Sequence, residues 1–378
     1  MPLSTPSIFR PPQVQPRLLP ERADIVVVGA GLTGLSIAQR LKREGIDAIV
    51  LERRDDPASG MATRGMGIVS TQLLDPPFRL IEAVGLDRAT QILHYSLKSG
   101  AGWKDFLQPS GVAYATKGEQ EHGEVEKNLE ALRRLNIPAR PWHPDSDTGL
   151  LSGWFQPDGG TLDLGAVCAS LADGIRIYTR AAATEVIDQG MDLAVCIDTG
   201  ERVRCDLVIM AGGVQITPWT ADKFHAIRHQ SIATAPAERM AEVPLSIQYG
   251  YSQLRQLDDG TVVLSGCRWA TPHMEVGETD DTIINEAIHR GLVGFLHRHW
   301  PALKTVPVIR QWTGIMTASC DGLPIVGPLP GRPRIVCCGG FGGYSASLAL
   351  RSADAVVEGI TTGTSTEVPA CFSTHRFG

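Results

Sequence analysis

A β-branched run from Asp24 to Val28 leads directly into Gly29-Ala30-Gly31-Leu32-Thr33-Gly34, and a segment of helical period, Leu35 to Glu44, follows. Gly45 ends that segment, and Ile46 to Leu51 reads as a second buried strand with Glu52 at its tip. Strand, glycine turn, helix and strand within about thirty residues make a βαβ unit with a parallel pair. Gly29, Gly31 and Gly34 would supply a tight turn, close backbone approach to a pyrophosphate, and close packing of helix on strand. N–H groups at the helix start favour a phosphate there. Glu52 stands 23 residues after Gly29, where its carboxylate can accept hydrogen bonds from ribose hydroxyls. A dinucleotide site follows, against the alternative of a glycine turn in another α/β fold. The motif alone leaves NAD as an option.

The 378 residues suit one or two domains. A hydrophobic share of 43% and a net charge of -6 describe a chain that can bury a core and argue against a dedicated nucleic-acid partner. Eight cysteines occur without a C-x-x-C pair or the spacing of a zinc site, so we expect buried thiols in a reducing cytoplasm and no metal. Residues 1–22 are Pro-rich and read as an irregular arm, with no apolar leader and no run long enough to span a bilayer.

Downstream, residues 78–108, 124–136 and 281–299 read as helices and 142–160 as a crossing segment. Residues 185–188 and 193–199 form a hairpin, and 206–210 a buried strand running into Gly212 and Gly213. Residues 245–254 and 261–266 alternate like antiparallel strands joined through Asp258-Asp259-Gly260. Residues 334–338 form a last core strand before Gly339-Gly340-Phe341-Gly342-Gly343 and a final helix, 345–359. A helix start in this position could stabilise negative charge on a reduced flavin, although glycines also end strands where helices pack closely.

Gln311-Trp312-Thr313-Gly314-Ile315-Met316-Thr317 and Asp321-Gly322-Leu323-Pro324-Ile325-Val326-Gly327 resemble the W-x-G-x-x-P-x-T-x-D-G-x-P-x-I-G stretch of the D-amino-acid oxidase superfamily, which includes glycine, sarcosine and γ-glutamylputrescine oxidases. Gly340-Phe341-Gly342-Gly343-Tyr344-Ser345 is similar to the family's flavin-contacting turn, and His375-Arg376-Phe377 to its common close. Glu52-Arg53 and Ala62-Thr63-Arg64-Gly65-Met66-Gly67 resemble the loop that wraps the pyrophosphate and flavin edge. The resemblance implies an α/β fold with a discontinuous Rossmann-like FAD-binding domain (23–75, 151–219 and 308–378). A smaller α+β substrate domain with an antiparallel sheet (76–150 and 220–307) would accompany it. It also implies that Val186 contacts adenine through its backbone, unless it is simply a core strand residue.

The implied reaction oxidises a C–N bond of an amine or modified amino acid: a hydride equivalent leaves for flavin N5, the imine hydrolyses, and O2 or another acceptor takes the electrons. Oxidation of a 2-hydroxy acid or polyol phosphate, or flavin binding without turnover, are the alternatives. Met316 stands where relatives carry a carboxylate-binding Arg, and methionine cannot make that bidentate contact. Either another cation (Arg64, Arg255 or Arg268) serves, or the substrate lacks a carboxylate there; Met316 could also be plain core. Gly314 stands where sarcosine oxidase carries its flavin-linking cysteine, so FAD is expected to be non-covalent. Tyr249 and Tyr251, read as one face of a strand, with Arg268, Trp269 and Tyr344, are candidate pocket residues, or half-buried strand aromatics.

Overall fold

A four-residue strand that is apolar throughout has to be covered on both faces, which suits the interior of a parallel sheet. Ile25–Val28 is such a strand: every residue is buried, and it pairs in parallel with Ala48–Leu51 on one side and Leu207–Met210 on the other. The computed structural model describes residues 3–71, 75–144, 148–211, 222–365 and 368–377. The chain divides into two units. One comprises 9–65, 163–226 and 316–378, the other 1–8, 66–162 and 227–315.

The first unit is built on a six-stranded sheet in the order Ile325–Leu329, Arg332–Gly339, Leu207–Met210, Ile25–Val28, Ala48–Leu51, Ile177–Tyr178. All neighbours are parallel except the first pair. Helices Leu32–Arg43 and Ser345–Thr362 pack on one another. A three-stranded meander, Ala183–Asp188, Leu193–Ile197 and Arg202–Cys205, adds its apolar face to the core.

The second unit carries an eight-stranded sheet: Val308–Ser319, Phe224–Pro236, Thr261–Ser265, Ser252–Gln256, Leu245–Ile247, Val112–Thr116, Leu151–Gln156, Arg140–Trp142. Residues paired directly across a ladder face the same way. Ile232, Leu264, Leu254, Leu245 and Ala113 are paired strand to strand in one such row, and with Ile288, Leu292 and Leu296 of helix Glu286–His299 they form one apolar core. Asn285 caps that helix through its side chain, accepting from Ala287 and Ile288.

Several sequence expectations are corrected. Residues 78–108 form not one helix but Pro77–Val84 and Leu86–Ala101, separated at Gly85, whose φ of 83° a helix cannot continue through. The crossing segment contains Leu151–Gln156, an interior strand. The 281–299 helix starts only at Glu286, after its Asn285 cap. The run 245–254 is broken, because Gln248 and Tyr249 adopt φ of 54° and 55° and turn the chain. The arm is not wholly irregular: Thr5 N–H donates to the Gln311 carbonyl, Ser4 N–H to the Thr282 carbonyl, and Arg310 Nη1 to the Ser7 carbonyl, so residues 3–7 lie along the 308–319 strand. The units divide at 8/9, 65/66, 162/163, 226/227 and 315/316, and the domain boundaries that the resemblance implies stand at 75/76, 150/151, 219/220 and 307/308. Strands Phe224–Pro236 and Val308–Ser319 run uninterrupted through two of these divisions, so no turn signal marks them.

Cohesion in the second unit rests partly on a buried ion pair. Arg228 Nε donates to Glu275 Oε2 at 2.6 Å, Arg228 Nη1 to the Asp280 carbonyl at 3.1 Å, and Asn285 Nδ2 to Glu275 Oε1 at 2.9 Å. Both charged side chains are less than 10% exposed, so removing one leaves the other buried and uncompensated. Glu275→Ala is expected to cost about 3–5 kcal/mol of unfolding free energy by urea denaturation. A cost below about 1 kcal/mol, the range of a surface pair, would contradict this role.

Candidate cofactor and substrate site

The glycine turn is closed by its own neighbours. A Cβ at residue 34 would lie 1.9 Å from the Gly29 carbonyl oxygen, so helix and strand approach this closely only with glycine there. Gly29 itself has a φ of 102° and donates its N–H to the Leu51 carbonyl at 2.7 Å. At Gly31 a Cβ would meet nothing within 4 Å, so there is open space over the turn. No side chain caps the helix that begins at Leu32, and its first N–H groups are left to a ligand or solvent.

Glu52 is buried at the end of its strand. One carboxylate oxygen accepts the Ala30 N–H and the other the Arg54 N–H, both at 2.9 Å. These bonds aim the carboxylate at the glycine turn, and each oxygen keeps acceptor capacity. Ala58 N–H donates to the Ala30 carbonyl at 2.8 Å, and the Thr63 hydroxyl to the Ala58 carbonyl at 2.8 Å. Thus Ala62, Thr63 and Arg64, on the short helix Met61–Arg64, are tied to the turn they were expected to accompany. Arg53 is exposed beside Glu52. Gly67 lies in the other unit, and Gly212 and Gly213 lie outside the described residues.

The late cluster forms a second glycine turn. Gly340, Gly342 and Gly343 all have positive φ (75°, 56° and 99°), Gly342 N–H donates to the Thr317 carbonyl, and Phe341 bridges Ala318. Helix Ser345–Thr362 starts after Tyr344 with no side-chain cap. Met316 is buried, and its sulfur would lie 3.3 Å from a Cβ at Gly343. Met316 is therefore packed against this turn through its thioether. Its neighbour turn is fastened by a pair the motifs did not connect: Arg376 Nε and Nη2 donate to Asp321 Oδ2 and Oδ1 at 2.6 and 2.9 Å. Burial would raise the Asp321 carboxyl, but Arg376 and the Leu323 N–H outweigh it and hold it below the usual range.

Open space at Gly31, the two uncapped helix starts and the buried Glu52 carboxylate fit FAD, with the ADP half on the first turn. Glu52→Gln is expected to weaken FAD binding about tenfold, since a charge-assisted acceptor becomes a neutral amide. Flavin-fluorescence titration measures this, and unchanged affinity would remove Glu52 from the site.

The Val186 side chain is core, and its carbonyl accepts from Arg332 Nη2 at 3.4 Å. Gly314 is a buried strand residue of the second unit. Tyr249 and Tyr251 sit on a turn rather than a strand. The Tyr249 hydroxyl donates to Glu124 Oε2 at 2.6 Å, Arg79 Nη2 donates to Glu124 Oε1 at 2.7 Å, and the Arg79 guanidinium lies 5.0 Å from the Tyr249 ring centroid. Burial and Glu124 push the Tyr249 hydroxyl well above its usual value. This group borders a hollow of about 360 Å³ with Lys117, Gln120, Glu121 and Gln248. Tyr251 is 47% exposed, under the Arg268 guanidinium at 5.8 Å. Arg268 Nη1 donates to the Met274 carbonyl, and Arg255 Nη1 to the Met66 and Leu162 carbonyls. His94 Nε2 lies 2.7 Å from the Leu135 carbonyl oxygen.

His229 escaped the sequence reading, because its alternating strand gives no sign of how fully Nδ1 is enclosed. Burial, with Arg268 nearby, pushes this imidazole down to about 3. The folded-state value lies below that of an unfolded histidine, about 6.5. As pH falls from 6.5 towards 3 the unfolded chain gains a proton that the folded chain does not, and stability is lost. His229→Asn should lose less urea stability between pH 7.5 and pH 5 than the parent; equal losses would contradict this.

A family model described as FAD dependent oxidoreductase (DAO) matches residues 24–358. The beta subunit of the sarcosine oxidase of Rhodobacter capsulatus is 23% identical over 402 residues, covering 94% of this chain and 89% of the relative. A subunit of the opine oxidase of Rhizobium meliloti is 23% identical over 383 residues, covering 94% and 97%. Among solved structures, L-proline dehydrogenase from P. horikoshii superposes with a TM-score of 0.77 at 20% identity, over 95% of this chain and 98% of that one.

Proposed function

The chain belongs to the family of FAD-dependent oxidoreductases matched over residues 24–358, and from that premise we propose that it oxidises the C–N bond of an amine or modified amino acid to an imine, which water then hydrolyses. The observation that carries the reading is that relatives matched over nearly the whole length are named for sarcosine and opine, both compounds with a C–N bond next to an oxidisable carbon. FAD, when bound, supplies the acceptor for the hydride equivalent leaving that carbon. The unit containing Gly29 and Gly340 would hold the cofactor, and the unit containing the eight-stranded sheet the substrate.

The chain's own residues need to orient and desolvate an uncharged amine. Met316 contributes an apolar wall against the Gly340–Gly343 turn, which suits a carbon centre and does nothing for a carboxylate. Gly314 offers no thiol for a covalent link, so FAD is held non-covalently in this reading. Electrons would pass on to O2 or another acceptor. A cytoplasmic location belongs to the same proposal, supported by eight free cysteines. Among the described residues no helix is long and apolar enough to cross a membrane.

An anaerobic bleaching screen across polyamines, N-methyl amines, opines, D-amino acids and 2-hydroxy acids tests this. The visible flavin band is expected to bleach with at least one secondary amine or opine and with no hydroxy acid. Bleaching by hydroxy acids alone would replace the reading with C–O oxidation. Bleaching by nothing would favour a flavin-binding subunit, a role for which the two relatives named as subunits supply a reason.

A further inference from the structure

The hollow beside the Tyr249 turn lies wholly within the unit of the eight-stranded sheet, and its volume of about 360 Å³ is enough for a small molecule. One wall is fixed in place. Burial would raise the Glu124 carboxyl, but the Tyr249 hydroxyl and Arg79 outweigh it and hold it below its usual range. Glu124 is therefore ionised and matched by Arg79, whose Nη2 donates to Oε1 at 2.7 Å and to Oε2 at 3.0 Å. Arg79 Nε and Nη1 have no partner among the described residues, so this guanidinium keeps donors to spare.

Two further charged residues line the hollow, and each lacks an opposite charge of its own. Lys117 Nζ lies 5.6 Å from the Trp269 ring centroid and 5.1 Å from that of Phe295, and it has no carboxylate partner among the described residues. Glu121 Oε2 accepts the Lys117 backbone N–H at 2.8 Å, and this carboxylate has no cation partner among the described residues. The two residues stand four apart, yet the acid is turned to the backbone and the ammonium to ring faces. Both are partly buried, where an unmatched charge costs more than on open surface. Gln248 lines the same hollow, and its Oε1 is shut off from solvent with no hydrogen-bond partner among the described residues. A cation, an anion and an amide oxygen are thus all open to one ligand.

We propose that this hollow is a binding site for a small zwitterion, whose carboxylate takes the Lys117 ammonium and the unspent N–H groups of Arg79 while its protonated nitrogen donates to Glu121 and to Gln248 Oε1. Arg79 and Lys117 balance Glu121 and Glu124, so the formal charge around the hollow is zero. A ligand with both charges finds an opposite partner for each, whereas a lone anion or cation meets one partner and one repelling group. Charge-assisted bonds at both ends give the site its selectivity. The site belongs to this unit alone and rests neither on the flavin nor on the amine-oxidation reading.

Three probes of nearly one shape, titrated into the holoprotein and followed by ligand-observed NMR, test the proposal. 2-Aminoisobutyrate carries both charges, pivalate the carboxylate alone and tert-butylammonium the nitrogen alone. None has a hydrogen on the carbon that bears the charged group, so none can reduce a flavin there, and binding is read apart from turnover. 2-Aminoisobutyrate should bind at least about tenfold tighter than either of the others. Lys117→Met and Glu121→Gln, with flavin content and melting temperature as the criteria of folding, should each weaken its binding by about tenfold, and Lys117→Arg should retain it. Equal affinity for the three probes in the parent protein overturns the proposal, as does unchanged affinity for 2-aminoisobutyrate in either Lys117→Met or Glu121→Gln.

Discussion

The carbonyl of Gly29 occupies the space that any side chain at position 34 would need, and the rest of the cofactor unit follows from that contact. Helix Leu32–Arg43 can lie on strand Ile25–Val28 this closely only because Gly34 has no Cβ. The close approach leaves the helix start uncapped and brings the Ala30 N–H to Glu52, whose carboxylate is thereby fixed at the end of the adjacent strand. Ala58 then ties the 61–64 helix to the same turn. A single backbone approach positions the uncapped helix start, the Glu52 carboxylate and the 61–64 helix together.

The second unit is organised by alternation. Its central rows separate cleanly, apolar residues to the helix side and hydroxyl, amide and indole groups to the other. Alternation usually puts polar residues in water. Here the polar row, which runs from Ser231 through Ser265, Gln253, Ser246 and Tyr114 to Trp154, is buried at all but Gln253, and the Ser265 hydroxyl and the Trp154 indole nitrogen have no hydrogen-bond partner among the described residues. The left-handed backbone at Gln248 and Tyr249 shortens the strand between Leu245 and Gln256, and the Tyr249–Glu124–Arg79 group pins the resulting turn to the helical segment beside it.

How much of this was legible in the sequence differs between the units. The glycine motif and the late glycine turn demand backbone geometry that few residues permit, so with the acid at residue 52 the spacing was enough to read a dinucleotide site, and the resemblance of residues 311–327 and 340–345 to a known family narrowed it to FAD. Strands Val112–Thr116 and Leu151–Gln156 were hidden because both carry apolar or aromatic residues on both faces and so show no clean period. The polar row was illegible for a different reason. Its members come from six strands between positions 114 and 265, and only register brings them into line. Arg376 and Asp321 were each noticed within a motif, yet their bond joins residues 55 apart.

The central claim is that the dinucleotide is anchored by its ADP half on the Gly29–Gly34 turn and Glu52. Fluorescence titration of the flavin-free chain with FAD and with FMN, which lacks that half, tests it most directly. Binding of FAD at least about a hundredfold tighter than FMN is the predicted result, since FMN forgoes the pyrophosphate and adenosine contacts of the helix start. Equal affinity for the two flavins would contradict it.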